Sequence, residues 1–149
     1  MRRRLPIALA MFLSASGVLA AQTRQESMDR VVAQLGLQEV EIQQDKHFHG
    51  PDIEGRLPDG TWVAVNVDWH GDIEEIEAHG HGGFSAEAVA PLLPEAVRNN
   101  DSWPSQAKLH KLEFHDGRRI EVEGDHSDGH EFKAEFAPDG QLIEMKIGD

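Results

Sequence analysis

Val63, Val65 and Val67 alternate with Trp62, Ala64, Asn66 and Asp68, and side chains that alternate in this way predict a strand half buried on a core. The same alternation marks Val40 and Ile42, the short run from Asp52 to Leu57, and Asp72 to Ala78 beyond a turn at His70-Gly71. Upstream, Met28, Val31, Val32 and Leu35 recur at helical spacing and Gly36 follows as a C-terminal cap, which predicts one amphipathic helix. Downstream, further strands are predicted at Leu112 and Phe114, at Ile120 and Val122, at Phe132, Ala134 and Phe136, and at Met145 and Ile147. Asp116-Gly117, Asp128-Gly129 and Asp139-Gly140 supply the turns between them. Ser85 suits the N-cap of a short helix from Ala86, Pro91 breaks it, and Pro94 suits the first turn of another through about Arg98.

The two halves repeat. Gly129 follows Gly60 by 69 residues (129 − 60), and the same offset carries Glu54-Gly55 onto Glu123-Gly124, Asp59-Gly60 onto Asp128-Gly129, Gly71 onto Gly140 and Glu75 onto Glu144. Val63, Val65, Val67, Ile73 and Ile76 fall on Phe132, Ala134, Phe136, Leu142 and Met145, so turn and core positions recur while surface residues drift. The segment His79-Gly80-His81-Gly82-Gly83 has little side-chain bulk and reads as a joint. The expected organisation is a signal peptide over 1–20, a first repeat over 21–78, the joint over 79–83 and a second repeat over 84–149. The expected fold class is α+β: two tandem helix plus antiparallel β-meander units, with the helices packed on one face of the sheet.

The N-terminus reads as a targeting segment. Arg2, Arg3 and Arg4 precede the apolar run Leu5 to Leu13, and Val18-Leu19-Ala20 offers small residues suited to cleavage after Ala20. That predicts a periplasmic or secreted protein with no stable membrane insertion after cleavage, since the run is shorter than the ~20 residues a spanning helix needs. The formal charge of −13 then becomes −16 (−13 − 3) with the loss of three arginines. Such a balance repels phosphate backbones and anionic lipid, which argues against nucleic acid and membrane surfaces as partners and in favour of a basic protein or a cation. The chain has no cysteine, so export brings no disulfide scaffold.

Leu93-Pro94-Glu95-Ala96-Val97, then Trp103-Pro104, Ala107-Lys108-Leu109 and a meander with Asp-Gly turns resemble the PepSY and PepSY-like modules, small exported bacterial domains akin in fold to proteinaceous β-lactamase inhibitors. The resemblance covers Leu93 to Ile147 best and Met28 to Ala78 more loosely. It departs from the pattern in having no tyrosine and no Leu-Pro element in the first copy. It implies a non-catalytic module that binds or inhibits an enzyme, an exported peptidase or other envelope enzyme being the expected partner, and it assigns no residue a catalytic role.

The nine histidines are not explained by the repeat. In an extended segment residues two apart share a face, so His47 with His49, and His79 with His81, are the candidate ligands of a zinc or copper ion, the alternative to a protein partner with no cofactor. His126 and His130 bracket a turn in the same way. Catalysis has little support: Ser85, Ser102, Ser105 and Ser127 lack nucleophile-elbow surroundings. For protein binding, Trp62 has the parity of the face away from the core and His70 lies in a turn, which makes these two the candidate partner contacts. Trp69 has core parity, and Trp103 before Pro104 reads as a structural plug.

Overall fold

The computed structural model describes residues 16–43 and 50–148. A long helix, α1 (Ser16–Leu35), is followed by four strands: β1 (Gln38–Ile42), β2 (Ile53–Arg56), β3 (Trp62–Val67) and β4 (Ile73–Ala78). After the short β5 (Phe84–Ser85) come two single-turn helices, α2 (Ala86–Val89) and α3 (Glu95–Arg98). The chain ends with β6 (Lys108–Phe114), β7 (Ile120–Asp125), β8 (Glu131–Phe136) and β9 (Leu142–Ile147). The first fifteen residues, which carry most of the expected signal peptide, lie outside the described residues, as do His47 and His49.

These strands make one nine-stranded antiparallel sheet in the order β1-β2-β3-β4-β6-β7-β8-β9, with β5 pairing onto β6 beside β4. The expectation of two tandem helix-plus-meander units is therefore corrected. The halves are joined within a single sheet, because β4 pairs directly with β6 and sets Ile76 opposite Leu112, both completely buried. Nor does the second half form a helix comparable to α1. Pro91 ends α2 in a 3-10 turn over Ala90–Leu92, and Pro94 caps the single turn of α3. Ser85 Oγ accepts from Glu87 N at 3.2 Å and so starts α2.

The alternation read from the sequence is the burial pattern of the sheet. Val63, Val65 and Val67, Ile120 and Val122, and Phe132, Ala134 and Phe136 are buried, and they join Met28, Val31 and Leu35 of α1 in one core. Trp103 is buried edge-on against Phe136 with ring centroids 5.9 Å apart, a plug as its position before Pro104 suggests. No polar residue is buried among the described residues.

The 69-residue offset holds down to single hydrogen bonds. It carries the β3–β4 register Val63↔Ala78, Val65↔Ile76 and Val67↔Ile73 onto Phe132↔Ile147, Ala134↔Met145 and Phe136↔Leu142, and it reproduces the irregularity between Asn66 and Val67 at Glu135 and Phe136. Gly71 N donating to Asp68 O recurs as Gly140 N donating to Ala137 O. Both glycines have positive φ, +83° and +92°, and both lie against a helix. A Cβ at Gly71 would meet Ser27 Oγ at 2.3 Å, and one at Gly140 would meet Ala96 O at 2.4 Å. The Ala96 contact is to backbone and cannot rotate away. Gly140→Ala is therefore expected to cost about 3 kcal/mol in urea unfolding, against about 1 kcal/mol for Gly129→Ala, which keeps the unfavourable φ but meets nothing within 4 Å. Equal losses would show that the helix contact is irrelevant.

Candidate functional site

The register that buries Ile76 against Leu112 also fixes what stands on the opposite face. Asn66 pairs with Glu75, Glu75 with Glu113, Glu113 with Glu121, Glu121 with Glu135 and Glu135 with Glu144. Five glutamates thus form one row across β4, β6, β7, β8 and β9, at the ~4.8 Å spacing of neighbouring strands. Like charges directly opposite one another destabilise a sheet unless they are neutralised. Here cations are threaded between them. Lys111 Nζ lies 2.8 Å from Glu75 Oε2 and 2.7 Å from Glu113 Oε2. Lys133 Nζ lies 2.5 Å from Glu121 Oε1 and 2.9 Å from Glu123 Oε1. Arg119 Nη1 is 2.7 Å from Glu135 Oε1, out of line for a hydrogen bond, and Lys146 is 3.0 Å from Glu144.

These contacts shift the protonation equilibria in one direction. Hydrogen bonds to Glu113 and then Glu75 hold Lys111 well above the ordinary lysine range, and hydrogen bonds to Glu121 and Glu123 raise Lys133. Burial pushes the Glu121 carboxyl up, but the hydrogen bond from Lys133, its charge and His115 outweigh that and hold it below the usual range. Glu121, at the centre of the row, therefore stays ionised around neutral pH.

His115 completes the centre of the row. Its Nδ1 is 3.5 Å from Glu113 Oε1 and its Nε2 3.5 Å from Glu121 Oε2. The Glu113, His115 and Glu121 donors lie within 4.8 Å of one another, a spread the side chains would have to close to reach metal-ligand distances near 2 Å. Lys111 and Lys133 already occupy those two carboxylates, so a divalent ion would have to displace ammonium groups.

The residues singled out from the sequence fall elsewhere. His79 and His81 do not converge: the first turns its Nε2 to Glu54 at 3.1 Å, and the second lines an open cleft of about 500 Å³ with His110, Glu123, Lys133 and Lys146. The segment is a turn, so the shared face expected of extended backbone does not arise. Trp62 is half-buried on the outer face with Arg56 over its ring at 5.7 Å. His70 is exposed at the other end of β3 and lies against Trp69, the ring planes tilted by 36°. Trp69 is 88% exposed, contrary to its core parity. The strand stops at Val67, and Asp68 Oδ1 accepts the backbone N–H groups of His70 and Asp72, which rotates Trp69 out of the alternation. Arg118 bridges to Asp72 at 2.8 Å, so the turn bearing Trp69 and His70 sits beside the β6–β7 turn at the end of the sheet nearest the row.

Parity along the sequence puts Asn66, Asp68, Glu121, Glu123 and Glu135 on the outer face as positions able to steer a basic partner, but only the register of neighbouring strands shows that five glutamates share a line with His115 at its centre. No helix among the described residues is long and apolar enough to cross a membrane. No protein-family model matches the sequence, and no curated protein is significantly similar to it. Among solved structures the chain is similar to a Bacteroides vulgatus protein of the DUF2874 family, provisionally assigned to the periplasm, at 18% identity over 85% of this chain and 92% of that one, with a TM-score of 0.47. A likeness of that degree carries no argument about this chain's activity.

Replacing Lys133 by Met leaves Glu121 and Glu123 facing each other's charge uncompensated. The lowered Glu121 carboxyl contributes stability that is present above its unfolded value and lost as pH falls through its folded one, whereas the raised Lys133 contributes below its unfolded value and is lost at alkaline pH. Lys133→Met is therefore expected to cost about 1 kcal/mol near neutral pH, with Lys133's exposure limiting the figure by solvent screening, and the difference should narrow as pH falls below 4.5 and close once pH has passed the lowered Glu121 value. Denaturant titrations across pH test this, and a loss independent of pH would assign the effect to packing.

Proposed function

We propose that the protein is an exported, non-catalytic binding module whose glutamate row receives a lysine- or arginine-rich segment of an envelope enzyme, such as a peptidase, and so modulates it. The observation that carries this reading is the row itself. Evolution would ordinarily separate carboxylates placed opposite one another, and here five stand in line on the face away from the core. On that half of the face Glu75, Glu77, Glu113, Glu121, Glu123, Glu135 and Glu144 outnumber Lys111, Lys133, Lys146 and Arg119, so a basic segment gains attraction that steers its encounter and fixes its register.

The turn at the end of the row adds an anchor of the kind such interfaces use. Trp69 is exposed and braced by His70, which takes the contact role first expected of Trp62 with His70. Export rests on the Arg-rich, apolar and small-residue pattern of the first twenty residues. A zinc or copper ion at Glu113, His115 and Glu121 is the second reading, favoured by the convergence of those three donors.

Envelope proteins retained by the wild-type chain are expected to bind roughly tenfold more weakly to Glu113→Gln/Glu121→Gln and to Trp69→Ala, with the difference shrinking at high salt. Recovery of the same proteins in equal yield by all three would overturn the docking reading. Calorimetric titration with zinc and with copper separates the two readings. Heat that is abolished by His115→Ala supports the ion, and heat no greater than background removes it.

A further inference from the structure

The two outer edges of the sheet are built differently. At one end, β1 carries Glu39 and Glu41, a register irregularity against β2, and Glu39 itself at φ +53°, all of which discourage another strand from pairing. At the other end, β9 reads Ile143-Glu144-Met145-Lys146-Ile147, with Ile143 48% and Ile147 62% exposed; its own irregularity falls at Ile143, at the start of the strand, and leaves Glu144–Ile147 in regular register with β8. Gly148 N donates to Glu131 O, so the alternation of an antiparallel ladder turns the N–H and C=O of Met145 and Ile147 away from β8, toward an edge that no other strand among the described residues pairs with.

The first copy shows what such an edge does when it has a neighbour. The offset sets β9 on β4, whose Ile76, the counterpart of Met145, is completely buried because β6 pairs beside it. Common ancestry explains apolar residues at Leu142 and Met145. It does not explain Ile143 where the first copy has Glu74, Lys146 where it has Glu77, or Ile147 where it has Ala78. Those three changes give the strand a sequence complementary to its own reverse.

We infer that two copies of the chain join edge to edge through β9, antiparallel about a two-fold axis at Met145. In that register Met145 faces Met145 of the second copy, each Glu144 faces a Lys146, and each Ile143 faces an Ile147. The free backbone groups of Met145 and Ile147 meet their counterparts as hydrogen-bonded pairs, so the two sheets become one. An isologous contact closes on itself and leaves only the guarded β1 edges outside. A foreign strand could also pair with a free edge, but the charge complementarity between Glu144 and Lys146 selects a second copy.

The protein purified after export is expected to sediment at twice the monomer mass, with the dimer fraction rising with concentration. Met145→Pro removes an outward N–H that the monomer does not use, so it should fold with an unchanged circular dichroism spectrum and sediment as a monomer. Lys146→Glu alone and Glu144→Lys alone should each weaken association at least tenfold by opposing like charges, and mixing these two variants should restore it, since the mixed pair is again complementary. Hydrogen exchange at Ile147 should be slower in the wild type than in Met145→Pro. A wild type that stays monomeric at the highest attainable concentration overturns the inference, as does a Met145→Pro variant that is folded and sediments like the wild type. A dimer indifferent to both charge variants and to their mixture would overturn it too.

Discussion

The pairing of β4 with β6 is the contact on which the rest of the molecule depends. Each copy of the repeat offers a small meander with an apolar face and an open edge, and a unit of that size is only marginally stable alone. Setting Ile76 opposite Leu112 closes one edge of each copy with backbone hydrogen bonds and makes their apolar faces continuous. The side-chain period of a strand is two, so slipping this junction by one residue would move Leu112 and Phe114 out of the core and Glu113 into it. At the joint, Gly83 at φ +62° lets the chain pass close to β6, where a Cβ would meet Leu109 O at 2.9 Å.

The line of glutamates is a consequence of that register as much as of selection. Once Ile76 meets Leu112, Glu75 must meet Glu113, and the inherited pairings of the second copy carry the line through Glu121 and Glu135 to Glu144. The sheet tolerates the line because Lys111 and Lys133 each serve two carboxylates, Arg119 lies beside Glu135, and His115 lies between Glu113 and Glu121. Desolvation acts against such charges, yet Glu121 remains ionised because its hydrogen bond with Lys133 and the neighbouring positive charge together exceed that cost. The face is held in a fixed charged pattern, which is what a surface needs if it is to recognise a basic partner by register.

The strands, the turns and the repeat were legible in the sequence because each follows from local chemistry. Alternating valines need a pleat, and Asp-Gly supplies the turn geometry. What was not legible depended on contacts between distant segments. The β4–β6 pairing joins residues more than thirty apart in the chain, so two separate units looked as consistent as one sheet. The histidine pair at 79 and 81 assumed an extended backbone, and the glycines around it permit a turn instead. Trp69 follows the alternation in the sequence, but Asp68 captures the amides of His70 and Asp72 and the strand ends at Val67. His115 gave no signal of its own, because its meaning lies in facing Glu113 and Glu121 across a hairpin.

Comparing the copies position by position separates inheritance from divergence. Glu75 and Glu144 are equivalent, as are Asn66 and Glu135, while the counterpart of Glu121 is Asp52, which Arg24 and the Val67 N–H hold inside the first copy. On the outer face of the first copy β3 is thus uncharged, with Trp62, Ala64 and Asn66, and the acidic line begins only at β4. A line of that length therefore needs both copies in one sheet: the first supplies Glu75 and the turn that carries Trp69, and the second supplies the remaining carboxylates with the cations that hold them. Duplication provided the frame, and the surface that distinguishes this protein arose where the two halves meet.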